Sequence, residues 1–324
     1  MNKNVLILTD PTDSGDTPDS IDNKIQADNI ECALKLLNYN TAILSFETDI
    51  AKLSDKILKG SPEIVFNLVE DERYIYYPPA ILTTLEIKYT GGSPSLFYNT
   101  NSKTRTKMII DKHKPASFRI PHAVTLKGNL GEPSFPSDYI IKPVSKHGSF
   151  DITVDSLIKA DSTTQVTDLL KFKSHKNGIE YFAEQYIDGR EFNIGYLNGK
   201  VLPFAEIVFK NYRNDQPKIV DYRAKWIEDS FEYNSTVREF NYNNKEKLEP
   251  LLQKACEEII NIFQIDSFVR LDFRVTEDFN IYLLEVNVNP CLSPDGGFFA
   301  ACCKAGFDYK TMIQTIIKET IQKT

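Results

Sequence analysis

Residues 267–295 read SFVRLDFRVTEDFNIYLLEVNVNPCLSPD, and the alternation of apolar and polar residues at both ends is typical of two β-strands. The short polar segment TEDFN between them suits a hairpin connection. Such a hairpin places Arg270 and Asp272 on one strand near Glu285 and Asn287 on the other. A guanidinium, two carboxylates and an amide on one sheet face are costly to bury unpaired. They are explained if a hard cation such as Mg²⁺ lies among them beside a phosphate-bearing ligand.

The second strand of this hairpin is predicted to place Leu284 and Val286 on its opposite, apolar face. A half-exposed sheet with solvated charges is the competing interpretation, but the Asn-Val-Asn-Pro sequence that follows is unusual for a plain edge strand. Arg-x-Asp-Phe followed by Leu-Glu-x-Asn-x-x-Pro resembles the C-terminal metal-binding motif of the ATP-grasp ligases, most closely that of the D-alanine–D-alanine ligase branch. The resemblance implies that Asp272, Glu285 and Asn287 are the metal ligands.

The composition is that of an ordinary globular protein, with 41% hydrophobic and 26% charged residues among 324, which is enough for two or three domains. The net charge of −7 gives no indication of a nucleic-acid surface, although the basic cluster Lys103–Lys114 suits a small phosphorylated ligand. We recognise no signal peptide and no apolar run of roughly 18 residues, so we expect a cytoplasmic protein without a membrane partner. The five cysteines have no paired spacing, which predicts reduced thiols and no zinc site.

The first part of the chain alternates short apolar runs with helical patterns, and this order predicts an open α/β domain with parallel strands. The predicted elements are the strands Asn4–Leu8, Thr41–Leu44 and Ile64–Leu68 and the helices Ser20–Leu37 and Ile50–Leu58. The family has such a Rossmann-like domain first. Glu70 follows the third strand, where the resemblance makes it a candidate to hold a substrate ammonium, although a solvated acidic loop is an equally good interpretation.

The resemblance implies an ATP-grasp fold, of the α/β class with α+β organisation in its later domains, in which ATP is held between two sheets. In the last domain, an apolar stripe over Lys245–Phe263 predicts the clearest helix, and Asn198-Gly199 predicts a two-residue hairpin turn. The polar stretch 228–244 is predicted to have little regular structure. The expected domains are an N-terminal substrate domain at 1–98, a central ATP-grasp subdomain at 99–187 and a C-terminal ATP-grasp and metal-binding subdomain at 188–324.

Three lysines correspond to family positions that contact the phosphates of ATP. Lys103 lies early on a predicted helix, and the resemblance implies that it contacts the nucleotide phosphates. Lys142 lies at the end of the predicted strand Tyr139–Pro143 and corresponds to the lysine at the α- and β-phosphates. Lys225 lies in the segment 220–226, which resembles the family's mobile lid, and corresponds to the lysine that reaches the γ-phosphate.

The loop Ser145–Asp151 is expected to fold over the phosphates through Gly148 and Ser149, because glycine lets backbone amides approach a phosphate closely. The loop contains fewer glycines than the family pattern, with Phe150 and Asp151 where small residues are usual. The sequence therefore does not decide whether this loop closes over the phosphates.

The predicted strand Ile179–Ile187 and the residues after it match the family's adenosine-binding pattern. The resemblance implies that Glu184 accepts a hydrogen bond from the adenine amino group and that the backbone of Ile187 contacts the ring edge. It also implies that Glu191 binds the ribose hydroxyls, and a carboxylate suits a diol because it can accept both O–H bonds. Without the resemblance, both glutamates would be ordinary acids at strand ends.

These positions together imply a ligase that uses ATP and Mg²⁺, with two metal ions and Mn²⁺ as a substitute. Transfer of the γ-phosphoryl group to a carboxylate gives an acyl phosphate, which an amine attacks to form an amide. Arg270 and Lys225 are the implied catalytic residues, with Arg270 placed to hold the acyl phosphate and the oxyanion of its adduct. The implied partners are small carboxylates and amines, and the family is often homodimeric.

The substrate residues depart from the family pattern. Where D-alanine–D-alanine ligases hold the second amino acid's carboxylate with a glycine and a serine, this chain has Cys291 and Gly296. With Glu70 and Arg270 they form the candidate substrate set. The leading hypothesis is therefore a carboxylate–amine ligase with other amino acids or a small carboxylate as substrates. A D-alanine–D-alanine ligase of cell-wall synthesis and a non-catalytic nucleotide-binding regulator of the same fold are the alternatives.

Overall fold

The computed structural model describes residues 3–12, 18–213 and 215–323. The first sheet is parallel, with the strand order β2-β1-β3-β4. This confirms the predicted succession of strands and helices. The strands are β1 (Asn4–Thr9), β2 (Asn40–Ser45), β3 (Ile64–Asn67) and β4 (Lys88–Tyr89), and the helices are α1 (Pro18–Leu36), α2 (Ile50–Gly60) and α3 (Tyr77–Thr84).

Two helices, α4 (Pro94–Asn101) and α5 (Lys103–His113), lead from the first sheet to the second. The hydroxyl of Ser102 accepts a hydrogen bond from the Arg105 amide and so fixes the start of α5 beside Lys103. The second sheet is antiparallel, in the order β6-β5-β9-β7-β8. Its strands are β5 (Ala123–Thr125), β6 (Gly128–Leu130), β7 (Ser137–Pro143), β8 (Leu157–Ala160) and β9 (Tyr181–Gln185), with α6 (Thr163–Asn177) between β8 and β9.

The third sheet is also antiparallel, in the order β13-β12-β10-β14-β15, with β11 paired to β10. Asn198 and Gly199 both have positive φ, 50° and 75°, which confirms the predicted two-residue turn. The strands are β10 (Arg190–Leu197), β11 (Lys200–Val201), β12 (Ala205–Phe209), β13 (Thr236–Glu239), β14 (Val269–Val275) and β15 (Ile281–Asn287). The helices are α7 (Tyr222–Trp226), α8 (Phe231–Ser235), α9 (Lys245–Phe263), α10 (Gly297–Lys304) and α11 (Tyr309–Gln322).

The stretch 228–244 contains regular structure, so the loop predicted there is wrong. Ser230 begins α8 by accepting a hydrogen bond from the Tyr233 amide, and β13 follows directly. β13 is an edge strand in which Arg238 and Glu239 are adjacent. Its sequence therefore lacks the alternation by which strands are recognised.

Two apolar clusters hold the third sheet in place. Helix α9, confirmed at its predicted bounds, packs Leu248, Leu252 and Ile259 against one face of β14 and β15, whereas Leu251 on the same helix is 38% exposed. Helices α10 and α11 pack onto the first sheet, and Phe298 joins that cluster to Leu202. The loops after the first sheet's strands are therefore fixed beside the third sheet.

Each of the predicted ranges 1–98, 99–187 and 188–324 contains one of the three sheets. The boundaries themselves stay a prediction, because α11 lies in the last range and packs on the first sheet. None of the described helices is both long enough and apolar enough to cross a membrane.

Candidate active site

A β-bulge shapes the site face of the hairpin β14–β15. Asp272 is opposite Glu285 and Phe273 is opposite Leu283, which leaves Leu284 as one extra residue on β15. In an unbroken strand Glu285 would lie on the same face as Leu283. The bulge places Glu285 on the face of Asp272 and lets Leu283 and Val286 both enter the core. The expectation that Leu284 lies with Val286 on the apolar face is therefore wrong.

Arg270 and Asp272 form a two-pronged ion pair along β14. Nε and Nη2 of Arg270 donate to the two carboxylate oxygens of Asp272, both at 2.8 Å. Nδ2 of Asn193 on the neighbouring strand donates to the same carboxylate at 3.0 Å. Burial disfavours the charge of Arg270, but the Asp272 carboxylate prevails and raises the pKa of the guanidinium above its ordinary value.

Glu285 faces two basic side chains from the elements opposite the third sheet. Nζ of Lys103 lies 3.7 Å and Nδ1 of His147 lies 3.4 Å from its Oε1. Burial acts against the charge of Glu285, yet Lys103 and His147 hold the pKa of this carboxyl well below its ordinary value. The ammonium of Lys103 also donates to the Lys146 carbonyl at 2.6 Å, next to the predicted phosphate loop.

The oxygen donors on this face fit a magnesium ion. Asp272 and Glu285 are opposite one another, and Asn287 lies on the same face, opposite Arg270. Within the described ranges no group of three or more His, Cys, Asp and Glu side chains could hold a metal by itself. Two carboxylates and an amide suit Mg²⁺, which commonly takes its other ligands from phosphates and water.

Glu184 on β9 lies between two lysines. Its Oε2 accepts a hydrogen bond from Lys142 at 2.5 Å, and its Oε1 contacts the ammonium of Lys107 as an ion pair. Glu184 and Lys107 are buried, and burial opposes both charges, but the two lysines lower the pKa of the glutamate. Both carboxylate oxygens of Glu184 therefore have a lysine partner, and a carboxylate has further lone pairs that can accept from a ligand amino group.

Glu191 on β10 pairs with Arg274 on β14 at 3.0 Å. Burial, the largest influence, raises the pKa of Glu191 although Arg274 opposes this. Nη1 of Arg274 also donates to the Gly189 carbonyl at 2.9 Å and so fixes the turn after Ile187. Arg274 was missed at the sequence level, although its spacing from Asp272 on one strand places both on the same face.

The predicted phosphate loop is held by α7 and by the residues just before it, which form the predicted lid segment. The indole N–H of Trp226 donates to the Gly148 carbonyl at 2.8 Å, and the Ser149 hydroxyl donates to the Val220 carbonyl at 2.8 Å. Gly148 has a φ of 67°, and a Cβ there would lie 3.5 Å from the Trp226 ring. Asp151 points away from the loop and accepts a hydrogen bond from the Tyr181 hydroxyl at 2.6 Å.

Lys225 extends from α7 into the cleft between the first and third sheets. Its side chain is solvent-accessible, but the surrounding protein lowers the pKa of the ammonium. The nearby Arg270 lowers it further, whereas Glu285 and Glu70 raise it. The structure therefore brings the predicted lid lysine to the same place as the hairpin residues and the candidate substrate residue.

The candidate substrate residues lie between α1 and the loop after β15. Glu70 accepts a hydrogen bond from Nε2 of Gln26 at 3.1 Å, and Oε1 of Gln26 accepts from the Leu292 amide at 2.5 Å. The thiol of Cys291 donates to Asp22 at 3.3 Å. Burial raises the pKa of Glu70 to about 8, with the nearby carboxylates of Asp10 and Asp22 adding to this.

Asp22 and Gln26 were missed at the sequence level. They are four residues apart on α1 and therefore share one face. Gly296 stands at the start of α10, where its amide donates to the Ser293 carbonyl at 2.8 Å. The contacts in the described structure thus join Lys103 to Glu285, Lys142 to Glu184 and the segment of Gly148 and Ser149 to that of Lys225, while the roles assigned to the predicted site residues stay predictions.

Comparisons with known proteins identify the family. The family model described as D-ala D-ala ligase C-terminus matches residues 132–318, more than half of the chain. The D-alanine–D-alanine ligase of Aquifex aeolicus is 28% identical over 283 residues, which are 84% of this chain and 88% of the relative. That of Rickettsia massiliae is 26% identical over 304 residues, 91% of this chain and 86% of the relative.

Solved structures support the same fold. The Bacillus anthracis D-alanine–D-alanine ligase complexed with ATP superposes with a TM-score of 0.73 at 15% identity, covering 99% of this chain and 98% of that one. The VanG D-Ala:D-Ser ligase of Enterococcus faecalis gives 0.71 at 14% identity, covering 99% and 100%. The ATP-grasp fold expected from the sequence is confirmed, and the chain belongs to the D-alanine–D-alanine ligase-like branch of the ATP-grasp superfamily.

Proposed function

We propose that the protein is an ATP-dependent ligase that joins the carboxylate of one small molecule to the amine of another through an acyl phosphate. One observation carries the proposal: Arg270, Asp272 and Glu285 share one sheet face, and basic side chains from three other elements surround it. Phosphoryl transfer requires such charge neutralisation and alignment rather than a nucleophilic side chain.

The adenosine of ATP is proposed to lie between the second and third sheets. Glu184 accepts from the adenine amino group, the Ile187 backbone contacts the ring edge and Glu191 accepts from the ribose hydroxyls. The carboxylate of Glu184 supports the first of these contacts, because it has more acceptor sites than its two lysine neighbours use. Its two lysine neighbours keep the carboxylate ionised and therefore able only to accept.

The phosphates are proposed to extend from there toward Glu285. Lys142 moves from Glu184 to the α- and β-phosphates, Lys103 contacts the phosphates beside Glu285, and Lys225 reaches the γ-phosphate. The backbone of Gly148 and Ser149 covers them, held from above by α7 and the residues just before it. Burial, and after it the nearby Arg270, lower the pKa of Lys225, and a bound polyphosphate would stabilise its ammonium.

Mg²⁺ is the metal that the oxygen donors suit, with two ions proposed and Mn²⁺ as a substitute. Asp272, Glu285 and Asn287 would hold it. When bound, it neutralises phosphate charge. Each of the two carboxylates has a cation beside it, Arg270 at Asp272 and Lys103 at Glu285.

The reaction proceeds in two steps. First, a carboxylate oxygen of the acyl donor bonds to the γ-phosphorus while the bond to ADP breaks. Then the neutral amine attacks the carbonyl carbon, the C–O bond to phosphate breaks, and the amine loses a proton as the amide forms. Asp272 uses Nε and Nη2 of Arg270, so Nη1 of that guanidinium is available to stabilise the acyl phosphate and the oxyanion.

The substrates are proposed to be small molecules, at least one of them an amino acid. An attacking amine must be uncharged, so an ammonium that persists in the site belongs to the acyl donor, and we assign it to Glu70 beside Asp22. Cys291 and Gly296 border the second substrate. D-Alanine as both substrates is the alternative that the relatives' names favour. A regulator without turnover is the remaining alternative, and the complete set of charged residues argues against it.

The experiment is phosphate release from ATP and Mg²⁺ with pairs of D- and L-amino acids and small carboxylates, followed by mass spectrometry of the products. Release that requires both partners and yields an amide supports the ligase. The variant Lys225→Met is expected to lose at least about 100-fold in rate. Arg223→Met removes a cation from the same helix, one that pairs with Glu232 at the surface, and serves as the matched control. ATP binding without release would favour the regulator.

The remaining parts of the proposal concern assembly and location. The proposed binding partners are small molecules. The protein is proposed to assemble as a homodimer and to be located in the cytoplasm. Analytical ultracentrifugation at several concentrations tests the dimer, and a single species of about 37 kDa would overturn it.

A further inference from the structure

Arg238 on β13 lies on the site face of the third sheet. It is directly opposite Ile207 on β12, and Ile207 is directly opposite Glu191 on β10. Residues that are opposite one another on neighbouring strands point to the same side of a sheet. Arg238 therefore shares a face with Glu191 and with Asp272, and it reaches the substrate end of the cleft from the sheet's far edge.

The guanidinium of Arg238 has no partner among the described residues. It makes no ion pair and no side-chain hydrogen bond with any residue in the part of the chain that the structure describes. Its side chain is open to solvent, yet the walls of the cleft lower its pKa, and the nearby Arg270 lowers it further. Asp295 and Cys291 partly offset that repulsion from beyond ion-pair distance. A cation in this setting is stabilised by an anion that enters the cleft.

Two consecutive glycines make room for this guanidinium. A Cβ on Gly297 would lie 2.9 Å from Nη2 of Arg238, so the arginine lies against the bare backbone at the start of α10. A Cβ on Gly296 would lie 2.9 Å from the Ser293 carbonyl oxygen, so this loop does not accommodate a serine there. This chain therefore has no hydroxyl at position 296, where the resemblance implies a serine. The guanidinium of Arg238, a stronger hydrogen-bond donor, lies beside that position.

Arg270 already has other contacts, because its Nε and Nη2 pair with Asp272 and its remaining Nη1 is assigned to the acyl phosphate. We propose that Arg238 binds the carboxylate of the amine-donating substrate, which makes that substrate an amino acid or peptide rather than a simple amine. The assignment rests on the proposed ligase function. Glu70 with Asp22 then suits the ammonium of the acyl donor, and Arg238 suits the carboxylate of the amine donor. A planar guanidinium binds a carboxylate through two parallel hydrogen bonds.

The test compares Arg238→Gln with the wild type on amine substrates with and without a carboxylate. In the phosphate-release assay the probes are D-alanine, glycine and L-alanine as amine donors, each against its primary amide. Loss of a charge-assisted hydrogen bond is expected to raise the KM for the amino acid about 10- to 150-fold while the KM for ATP stays unchanged. The KM for the amide should not change. Arg238→Lys keeps the charge but not the two-pronged geometry and should recover only part of the loss.

Arg119→Gln is the matched control, since it removes an exposed guanidinium beside β15, at the opposite edge of the same sheet.

A second readout separates this proposal from the ligase function. Trp226, the only tryptophan, reports ligand binding by fluorescence without turnover, with ATP, Mg²⁺ and each probe present. If no pair is turned over, the ligase proposal fails, and the Arg238 assignment is still decided by binding.

A wild type that binds one of these amino acids better than its amide, and an Arg238→Gln variant that has lost this preference, supports the assignment. Two results overturn it: a preference that survives unchanged in Arg238→Gln, or a wild type that prefers none of the three amino acids to its amide.

Discussion

Replacing Glu70 with glutamine tests whether this half-buried carboxyl holds a substrate ammonium. Its pKa is raised to about 8, first by burial and then by Asp10 and Asp22, so at pH 7 only about one tenth of it is ionised. Only the ionised form attracts an ammonium. The apparent affinity is the intrinsic affinity multiplied by the ionised fraction, which lowers it about 10-fold at pH 7 and about 100-fold at pH 6.

We therefore expect the KM for the acyl-donor amino acid to fall steeply between pH 6 and pH 8 in the wild type. In Glu70→Gln the KM should be high and nearly independent of pH over that range. Initial rates of phosphate release at saturating ATP measure it. Glu63→Gln, at the other end of β3, is the matched control. A wild-type pH dependence that persists in Glu70→Gln would refute the reasoning.

The raised pKa of Glu70 also makes the stability of the folded protein depend on pH. Its pKa in the folded protein lies above its ordinary value of 4.5, so the folded state binds more protons than the unfolded state between these values. The stability it contributes is full below about pH 4.5 and is lost as the pH rises through about 8. Between pH 6 and pH 8 the free energy of unfolding should fall by about 2 kcal/mol, and Glu70→Gln should abolish this loss in urea titrations. An unchanged loss in the variant would contradict the burial argument.

Three further variants test other parts of the site. Lys107→Met leaves the buried Glu184 with one lysine instead of two, and urea titration should reveal a loss of about 3 kcal/mol, whereas a neutral effect would contradict the ion pair. Asp272→Asn should raise the Mg²⁺ concentration for half-maximal phosphate release at least about 10-fold, and an unchanged requirement would exclude it as a ligand. Trp226→Phe removes the hydrogen bond to Gly148 and should raise the KM for ATP about 2- to 10-fold without changing the amine KM.

The fold was predictable because its signals are local. Asp272 and Asn287 were found from strand alternation, and α9 was found from its apolar stripe, since each pattern lies within one element. The bulge at Leu284 was not predictable, because a bulge is defined by the register with the partner strand and not by the strand's own sequence. The placement of Leu284 on the apolar face followed from assuming an unbroken strand.

The parts of the site that were missed come from contacts distant in sequence. Lys107 was part of the basic cluster Lys103–Lys114, and its partner Glu184 lies on another element. Arg238 was missed because it lies in a polar stretch without alternation of apolar and polar residues. Only the pairing of β13 with β12 places it on the site face. Sequence patterns therefore locate the chemistry of ATP but not the arrangement around the second substrate.

The central claim is that a carboxylate is activated as an acyl phosphate, and an oxygen label tests it most directly. The acyl donor that supports turnover is prepared with ¹⁸O in both carboxylate oxygens and incubated with ATP, Mg²⁺ and the amine. The account predicts that each phosphate released carries one ¹⁸O, because the bond from that oxygen to carbon breaks as the amide forms. Phosphate without label would mean that water, not the carboxylate, receives the phosphoryl group, and would contradict the account.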